Sequence, residues 1–289
     1  MSRLKSIAVI GATGMLGTPV TNILKKEGFV VTALVRDPAK GNNRLEQSIH
    51  IQKGDLKDKS VLKHAFENAE CVYLSLSTSP YEKNKGFKTE LDGLRNVIQA
   101  AEETGVKRIG MLSSLVKNYE GTDWWVFDIK REACRILLEC NIPATIFYPS
   151  NFYENLSELQ MKGNRILLAG EQVTKSWWIG TSDYGRQVSA AFRQEHTENR
   201  EYAVQGTQSY NFEEAADIFI KHYQPANLKK TKIPLWILKV LTPFSKKIDF
   251  DYHILYSINH FDESFQSEKT WKELGRPKQS LADFAATFS

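Results

Sequence analysis

Residues 7 to 20 read Ile-Ala-Val-Ile-Gly-Ala-Thr-Gly-Met-Leu-Gly-Thr-Pro-Val. A β-branched apolar run enters a glycine-rich turn and leaves it with a helical pattern, which predicts strand, loop and helix in immediate succession. Gly11 makes the tight turn, Gly14 lets the backbone approach a pyrophosphate, and Gly17 lets the helix pack closely on the strand. The free N–H groups and positive dipole end of the helix then face the anion. Phe29 to Val35 follows as a second apolar strand, which completes a unit of the length expected for dinucleotide binding.

Arg36 follows that second strand, where an NAD-specific fold places an acidic residue for the ribose 2′-hydroxyl. A guanidinium there favours a 2′-phosphate, so NADP (NADPH) is the expected cofactor and NAD the lesser alternative, with Asp37 still able to take a ribose. Residues 49–51 read as a third strand, 61–66 as a helix, and 71–75 as a fourth, buried strand. The exit of that strand, Leu76-Ser77-Thr78-Ser79-Pro80, is expected at the carboxyl edge beside the first strand, where strand order reverses and ligands bind. A long helix is expected from about Asn84 to Glu103, then a fifth strand, 106–112, ending in Ser113-Ser114. A helix over 124–138 leads to a sixth strand, 144–148.

The loop spacing G-x-x-G-x-x-G, with Ala12, Thr13, Met15 and Leu16 between the glycines, resembles that of the extended and atypical short-chain dehydrogenases/reductases. The run from Asn96 through Gly105 to Ser113-Ser114 is similar to the helix-Gly-strand-Ser element of the NmrA-like branch. Phe127-Asp-Ile-Lys130-Arg, Ile142-Pro-Ala-Thr-Ile and Pro149-Ser150-Asn151-Phe152 also resemble the isoflavone and phenylcoumaran benzylic ether reductases. The resemblance implies that Asp55 in Gly54-Asp55-Leu56 contacts adenine, that Ser113 or Ser114 sits by the nicotinamide, and that Pro149 to Phe152 packs on it. It also implies that Lys130 occupies the family's lysine position.

Common short-chain dehydrogenases place a Tyr four residues before that Lys, because the ammonium lowers the phenol pKa into a useful range. Here that position is Val126, which carries no proton. Lys130 then serves cofactor or substrate contact rather than proton transfer, and Tyr148 and Tyr153 are the nearest alternative donors.

A net charge of +4 with interspersed acids and bases does not imply nucleic-acid binding. Cys71, Cys134 and Cys140 suggest neither a disulfide framework nor a metal site, and His253 and His260 lack further ligands, so no metal is expected. The N-terminus carries no apolar signal region and no span is long enough to cross a bilayer, which predicts a cytoplasmic protein without a membrane partner. Past residue 155 the alternation loosens: short strands at 165–168, 177–179 and 202–204 surround a helix over 182–192, with Ser182 or Asp183 as its cap. Asn211 with Glu214 predicts a capping box, and Ser280 a further cap. The apolar run from Ile233 to Phe244 is flanked by lysines; a helix that closes over the substrate crevice or packs on the sheet is preferred to membrane contact.

The expected architecture is a Rossmann-type, doubly wound α/β fold: an NAD(P)-binding core over residues 1–155 and a mixed segment over 156–289 that completes it and forms a smaller substrate-binding portion. Two functions are compatible with the chain as monomer or homodimer. One is an NADPH-dependent reductase of a small apolar or quinone-like compound; the other is a non-catalytic NADP(H) sensor acting through a regulatory protein partner.

Overall fold

The computed structural model describes residues 4–83, 86–171, 173–194 and 196–288. Its first half alternates strands and helices: β1 (Ser6–Ile10), α1 (Gly17–Lys26), β2 (Val30–Val35), α2 (Pro38–Arg44), β3 (His50–Lys53), α3 (Lys59–Phe66), β4 (Cys71–Leu74), α4 (Leu94–Thr104), β5 (Arg108–Leu112), α5 (Trp125–Glu139) and β6 (Ala144–Pro149). The remainder holds β7 (Met161–Lys162), β8 (Arg165–Ala169), β9 (Ser176–Trp177), α6 (Thr181–Arg193), β10 (Arg200–Val204), β11 (Ser209–Tyr210), α7 (Phe212–His222), β12 (Lys229–Ile233), α8 (Leu235–Leu241), α9 (Lys246–His260), α10 (Glu268–Leu274) and α11 (Leu281–Ala286).

Seven parallel strands form the central sheet in the order β10-β6-β5-β4-β1-β2-β3, so the direction of winding reverses between β1 and β4. The fold is a doubly wound Rossmann-type sheet. Its strands are buried on both faces, and their two-residue period divides the core. Ile7, Val9, Val31, Ala33 and Tyr73 face α1 and α6, while Ala8, Ile10, Leu34, Val72 and Leu74 face α3, α4 and α5.

Two sequence expectations shift here. Tyr202–Val204, read with the covering portion, belongs to the edge strand β10 of the main sheet, because Tyr202 and Val204 are buried in the core that includes Phe147. The helix expected from Asn84 begins later: Asn84 and Lys85 lie outside the described residues, 86–88 are not helical, and helical turns start with a π-type turn at Thr89–Gly93. Its start is fixed by Glu82, whose carboxylate accepts the backbone N–H and hydroxyl of Thr89.

Beyond the sheet's carboxyl edge, β8 pairs with β7 and β12, and β9 with β11. Ile166, Leu168, Trp178, Phe212, Phe219, Leu281 and Phe284 form a separate apolar cluster there. The capping boxes of Asn211 with Glu214 and of Ser280 with Asp283 both form.

Candidate functional site

The glycine loop lies at the reversal point. Gly11 has φ +81°, and an added Cβ would stand 2.1 Å from the Ser75 carbonyl oxygen at the end of β4. At Gly17 an added Cβ would meet the Gly11 carbonyl at 2.0 Å. The chain's own packing therefore requires both glycines. Gly14 differs: it is exposed, its φ is not positive, and an added Cβ would touch only the Gly11 carbonyl at 3.3 Å and the Gly17 nitrogen at 4.0 Å. Nothing inside the protein needs a glycine there, so the bare backbone forms an open cradle. Thr13, Met15 and Leu16 complete the loop, and the first turn of α1 has no side-chain cap and no acidic residue. Such a terminus suits a phosphate.

Arg36 is exposed just past β2. Asp37, its rival for the ribose, is occupied instead as the cap of α2, accepting the Ala39 and Lys40 N–H groups at 3.0 and 3.4 Å. Sequence reading missed Arg44, which reaches back from the end of α2 to donate to the Thr13 carbonyl at 3.4 Å and so brings a second guanidinium to the loop. Asp55 follows β3, its carboxylate accepting the Lys57 N–H at 3.0 Å and its carbonyl the Asp58 N–H at 3.1 Å, while Leu56 packs under Gly93.

At the exit of β4, Leu76 is buried, Ser77 exposed and Thr78 buried. Glu90, in the π-type turn, is 4% exposed and accepts the Thr78 N–H and hydroxyl at 2.7 and 2.9 Å. Lys130 donates to both oxygens of that carboxylate at 3.0 Å. The lysine thus neutralises the buried acid that holds the β4 exit loop and does not line the large cavity described below. Removing one partner of such a pair strands a buried charge. Lys130→Met should lower stability by about 3 kcal/mol, and adding Glu90→Gln should restore most of the loss. Urea midpoints of the single and double variants check this; unchanged midpoints would dissolve the pair.

A cavity of about 570 Å³ opens from the loop side of the sheet toward the C-terminal elements. Leu16, Ser113, Ser114 and the segment Pro149-Ser150-Asn151-Phe152 form one wall, and Leu167, Ile233, Leu238, Ile254, Leu255 and Phe261 another. The first wall is rigid: Ser113 N–H bonds the Phe147 carbonyl, Ser150 N–H the Val204 carbonyl, and Asn151 accepts from Ile179. Its acidic member, missed in the sequence, is Glu263. This residue is 8% exposed; its carboxylate accepts from the Ser150 hydroxyl at 2.8 Å, the Gln205 amide at 2.6 Å and the Trp177 N–H at 3.3 Å. Burial raises its pKa above the ordinary carboxyl value despite those donors. Nothing around Glu263 in the sequence, Phe-Asp-Glu-Ser-Phe, separates it from a surface acid.

Other expected residues stand elsewhere. Tyr148 points away from the cavity; its hydroxyl donates to the Glu201 carboxylate at 2.5 Å, and the Lys117 ammonium sits 4.6 Å over its ring. Tyr153 is buried against Phe284, its hydroxyl reaching the Gln279 carbonyl. Val126 is buried with Trp124 and Phe127 against α9. Neither Ser182 nor Asp183 caps α6. Glu154 does so, accepting the Thr181 N–H at 3.1 Å, while Asp183 accepts the backbone N–H groups of Lys278 and Gln279. His253 stacks on Trp124 and His260 bonds the Tyr256 carbonyl. Among the described residues no group of three or more His, Cys, Asp or Glu is placed to hold a metal ion, and no helix is long and apolar enough to cross a membrane.

The photosystem II assembly factor Ycf39 of Guillardia theta is 28% identical over 248 residues, 83% of this chain and 77% of that one. Quinone oxidoreductase 2 of Escherichia coli is 26% identical over 216 residues, covering 73% and 72% of the two chains. The crystal structure of that NADPH-dependent quinone oxidoreductase complexed with NADPH superposes with a TM-score of 0.70 at 22% identity, over 97% of this chain and 99% of the other. The triphenylmethane reductase of Citrobacter sp. complexed with NADP(H) gives 0.72 at 20% identity over the same shares, which again speaks to the fold. The model of the NmrA-like family matches residues 3–281, so the chain belongs to the NmrA-like family.

Proposed function

We propose that this protein is an NADPH-dependent reductase of a small apolar or quinone-like acceptor. The observation that carries the reading is the cavity, which joins the wall expected at the nicotinamide, Ser113 and Pro149 to Phe152, to an apolar wall contributed by the C-terminal elements. A quinone oxidoreductase among the relatives and two NADP(H) complexes among the structural neighbours support it. On this reading Gly11 to Gly17 carry the pyrophosphate, Asp55 and Leu56 border the adenine, Leu76 to Thr78 line the cofactor, and Arg36 with Arg44 takes the 2′-phosphate. NADPH supplies the hydride, and the chain holds, orients and shields it from water. One hydride and one proton convert a quinone to its hydroquinone. Tyr148 and Tyr153 stand away from the cavity, and of the two carboxylates that line it, Asp251 and Glu263, only Glu263 bonds the serine of the nicotinamide wall, so the proton comes from Glu263 through Ser150. When Glu263 is protonated, its hydrogen bond with Ser150 reverses direction, and the serine hydroxyl proton is free to pass into the cavity.

NADPH oxidation against a panel of quinones, azo compounds and conjugated carbonyls tests the enzyme. Turnover with at least one acceptor supports it. The assembly factor among the relatives favours a second reading, a non-catalytic NADP(H) sensor. That reading holds if no acceptor is reduced while a partner's binding changes between NADPH and NADP⁺.

Charge-assisted hydrogen bonds from Arg36 are worth about 1.5–3 kcal/mol. Arg36→Ala should therefore weaken NADPH binding about 10- to 100-fold and leave NADH binding unchanged, as read by calorimetry. Equal affinities of the unaltered protein for the two cofactors would overturn the assignment.

A further inference from the structure

The segment from β12 to the start of α9 shows an apolar face that no part of the described chain covers. None of the residues of α8 is buried. Leu238 and Ile233 reach the cavity, but Trp236, Val240 and Phe244 are 66, 61 and 84% exposed, with Leu241 beside them. Half of the large apolar residues exposed among those described fall within residues 236–244, and the others are scattered. Isolated exposed apolar side chains need no explanation, whereas a cluster marks a contact.

The same stretch is one-signed. It carries Lys229, Lys230, Lys232, Lys239, Lys246 and Lys247, and no acidic residue lies between 225 and 248. Glu213 and Asp217 of α7 pair with Lys230, and Glu213 with Lys232. Lys229, Lys239 and Lys246 are exposed and make no ion pair among the described residues, whereas Lys247 borders the cavity and faces the Asp251 carboxylate.

Charge decides among occupants. A second copy docking by a two-fold axis would set these lysines against their own counterparts. Spanning is excluded by length, since the 7 residues of α8 rise only about 10 Å against a hydrocarbon core of about 30 Å. An anionic bilayer surface satisfies both properties: Trp236 suits the interface, Val240, Leu241 and Phe244 the acyl boundary, and the lysines the headgroups.

We propose that α8 and the turn after it dock on an anionic bilayer and that the cavity, which this helix borders, receives a lipophilic acceptor directly from the membrane. The docking rests on the exposed face alone; the acceptor class rests on the reductase reading above. This is an interfacial contact, where the sequence favours a helix that covers the crevice or packs on the sheet; α8 borders the crevice through Leu238 and presents its other face outward.

Flotation of the full chain with phosphatidylcholine vesicles, and with vesicles of equal parts phosphatidylcholine and phosphatidylglycerol, tests the docking. The protein should float with the anionic vesicles only, and added salt should release it. Trp236→Ser with Phe244→Ser should lower the bound fraction at least about tenfold, with NADPH affinity and turnover of a water-soluble quinone unchanged. A long-chain quinone embedded in anionic vesicles should be reduced at least about tenfold faster by the unaltered protein than by this variant. No flotation, equal flotation with neutral vesicles, or a dimer that the double substitution dissociates would overturn the docking. Flotation without turnover of any acceptor would leave the docking standing and remove the reductase reading. Flotation with equal rates for protein and variant on the embedded quinone would overturn the membrane supply of the acceptor.

Discussion

Gly14→Val is expected to weaken NADPH binding at least about 100-fold, a change of about 2.7 kcal/mol or more, while the protein stays folded. The reason is the asymmetry among the loop glycines. A Cβ at Gly11 or Gly17 would sit 2.1 or 2.0 Å from a backbone carbonyl oxygen, so substitution there breaks the loop itself. At Gly14 the contact is 3.3 Å and the backbone is one that any L residue adopts, so the native state accommodates the side chain with a shift of a few tenths of an ångström. The branched side chain then fills the space that the phosphates require. Calorimetry gives the affinity, and the urea midpoint should stay within about 1 kcal/mol of the unaltered protein. Retained binding in a folded Gly14→Val variant would move the phosphate site away from this loop. A collapsed midpoint would mean that Gly14, like its neighbours, serves the turn.

That contrast also separates what the sequence discloses from what it does not. The glycine spacing, the buried strands and the period-two core are local properties, and a parallel sheet leaves few ways to arrange them. Hence the loop, β1 to β6 and the reversal point are legible, as are the Asn211–Glu214 capping box and the Ser280 cap, each of which closes within a few residues; that Asp283 returns to Ser280 to complete a second box is not. Glu90, Glu154 and Glu263 are not legible either. Glu90 and Glu263 are buried and Glu154 partly so, and each acquires its role from partners distant along the chain: Glu90 holds Thr78 and Lys130, Glu154 caps α6, and Glu263 meets Ser150 at a separation of 113 residues. No periodicity marks such an acid. Tyr148 failed in the opposite direction: proximity in the chain to Pro149 and Ser150 suggested the site, but strand alternation turns its side chain to the other face, toward Glu201.

Glu263→Gln should separate the proton from the hydride. General acid catalysis contributes about 10²–10⁴-fold, so acceptors that must be protonated as they are reduced, such as a conjugated carbonyl, should lose that much in kcat. A quinone accepts hydride into a ring that stabilises the resulting anion, so its rate should fall far less. Gln fits the site without strain. Its amide oxygen takes the Gln205 and Trp177 donors and its NH₂ group faces the Ser150 oxygen, the arrangement that protonated Glu263 itself would adopt. Stability provides the control. Because burial raises the folded-state pKa, the native protein keeps a proton there that the unfolded chain has already released. The contribution of this group is therefore full below the ordinary carboxyl range and is lost as pH rises through the raised folded value. Glu263→Gln cannot ionise, so it should match the unaltered protein in acid and equal or exceed it near neutral pH. A slow variant with an intact or raised midpoint, and a pH–rate profile that no longer falls as pH rises through the raised carboxyl range, assigns Glu263 as the proton source. Equal loss of rate on quinones and carbonyls would instead make it a residue that merely shapes the cavity, and an undiminished rate on carbonyls would remove it from the chemistry.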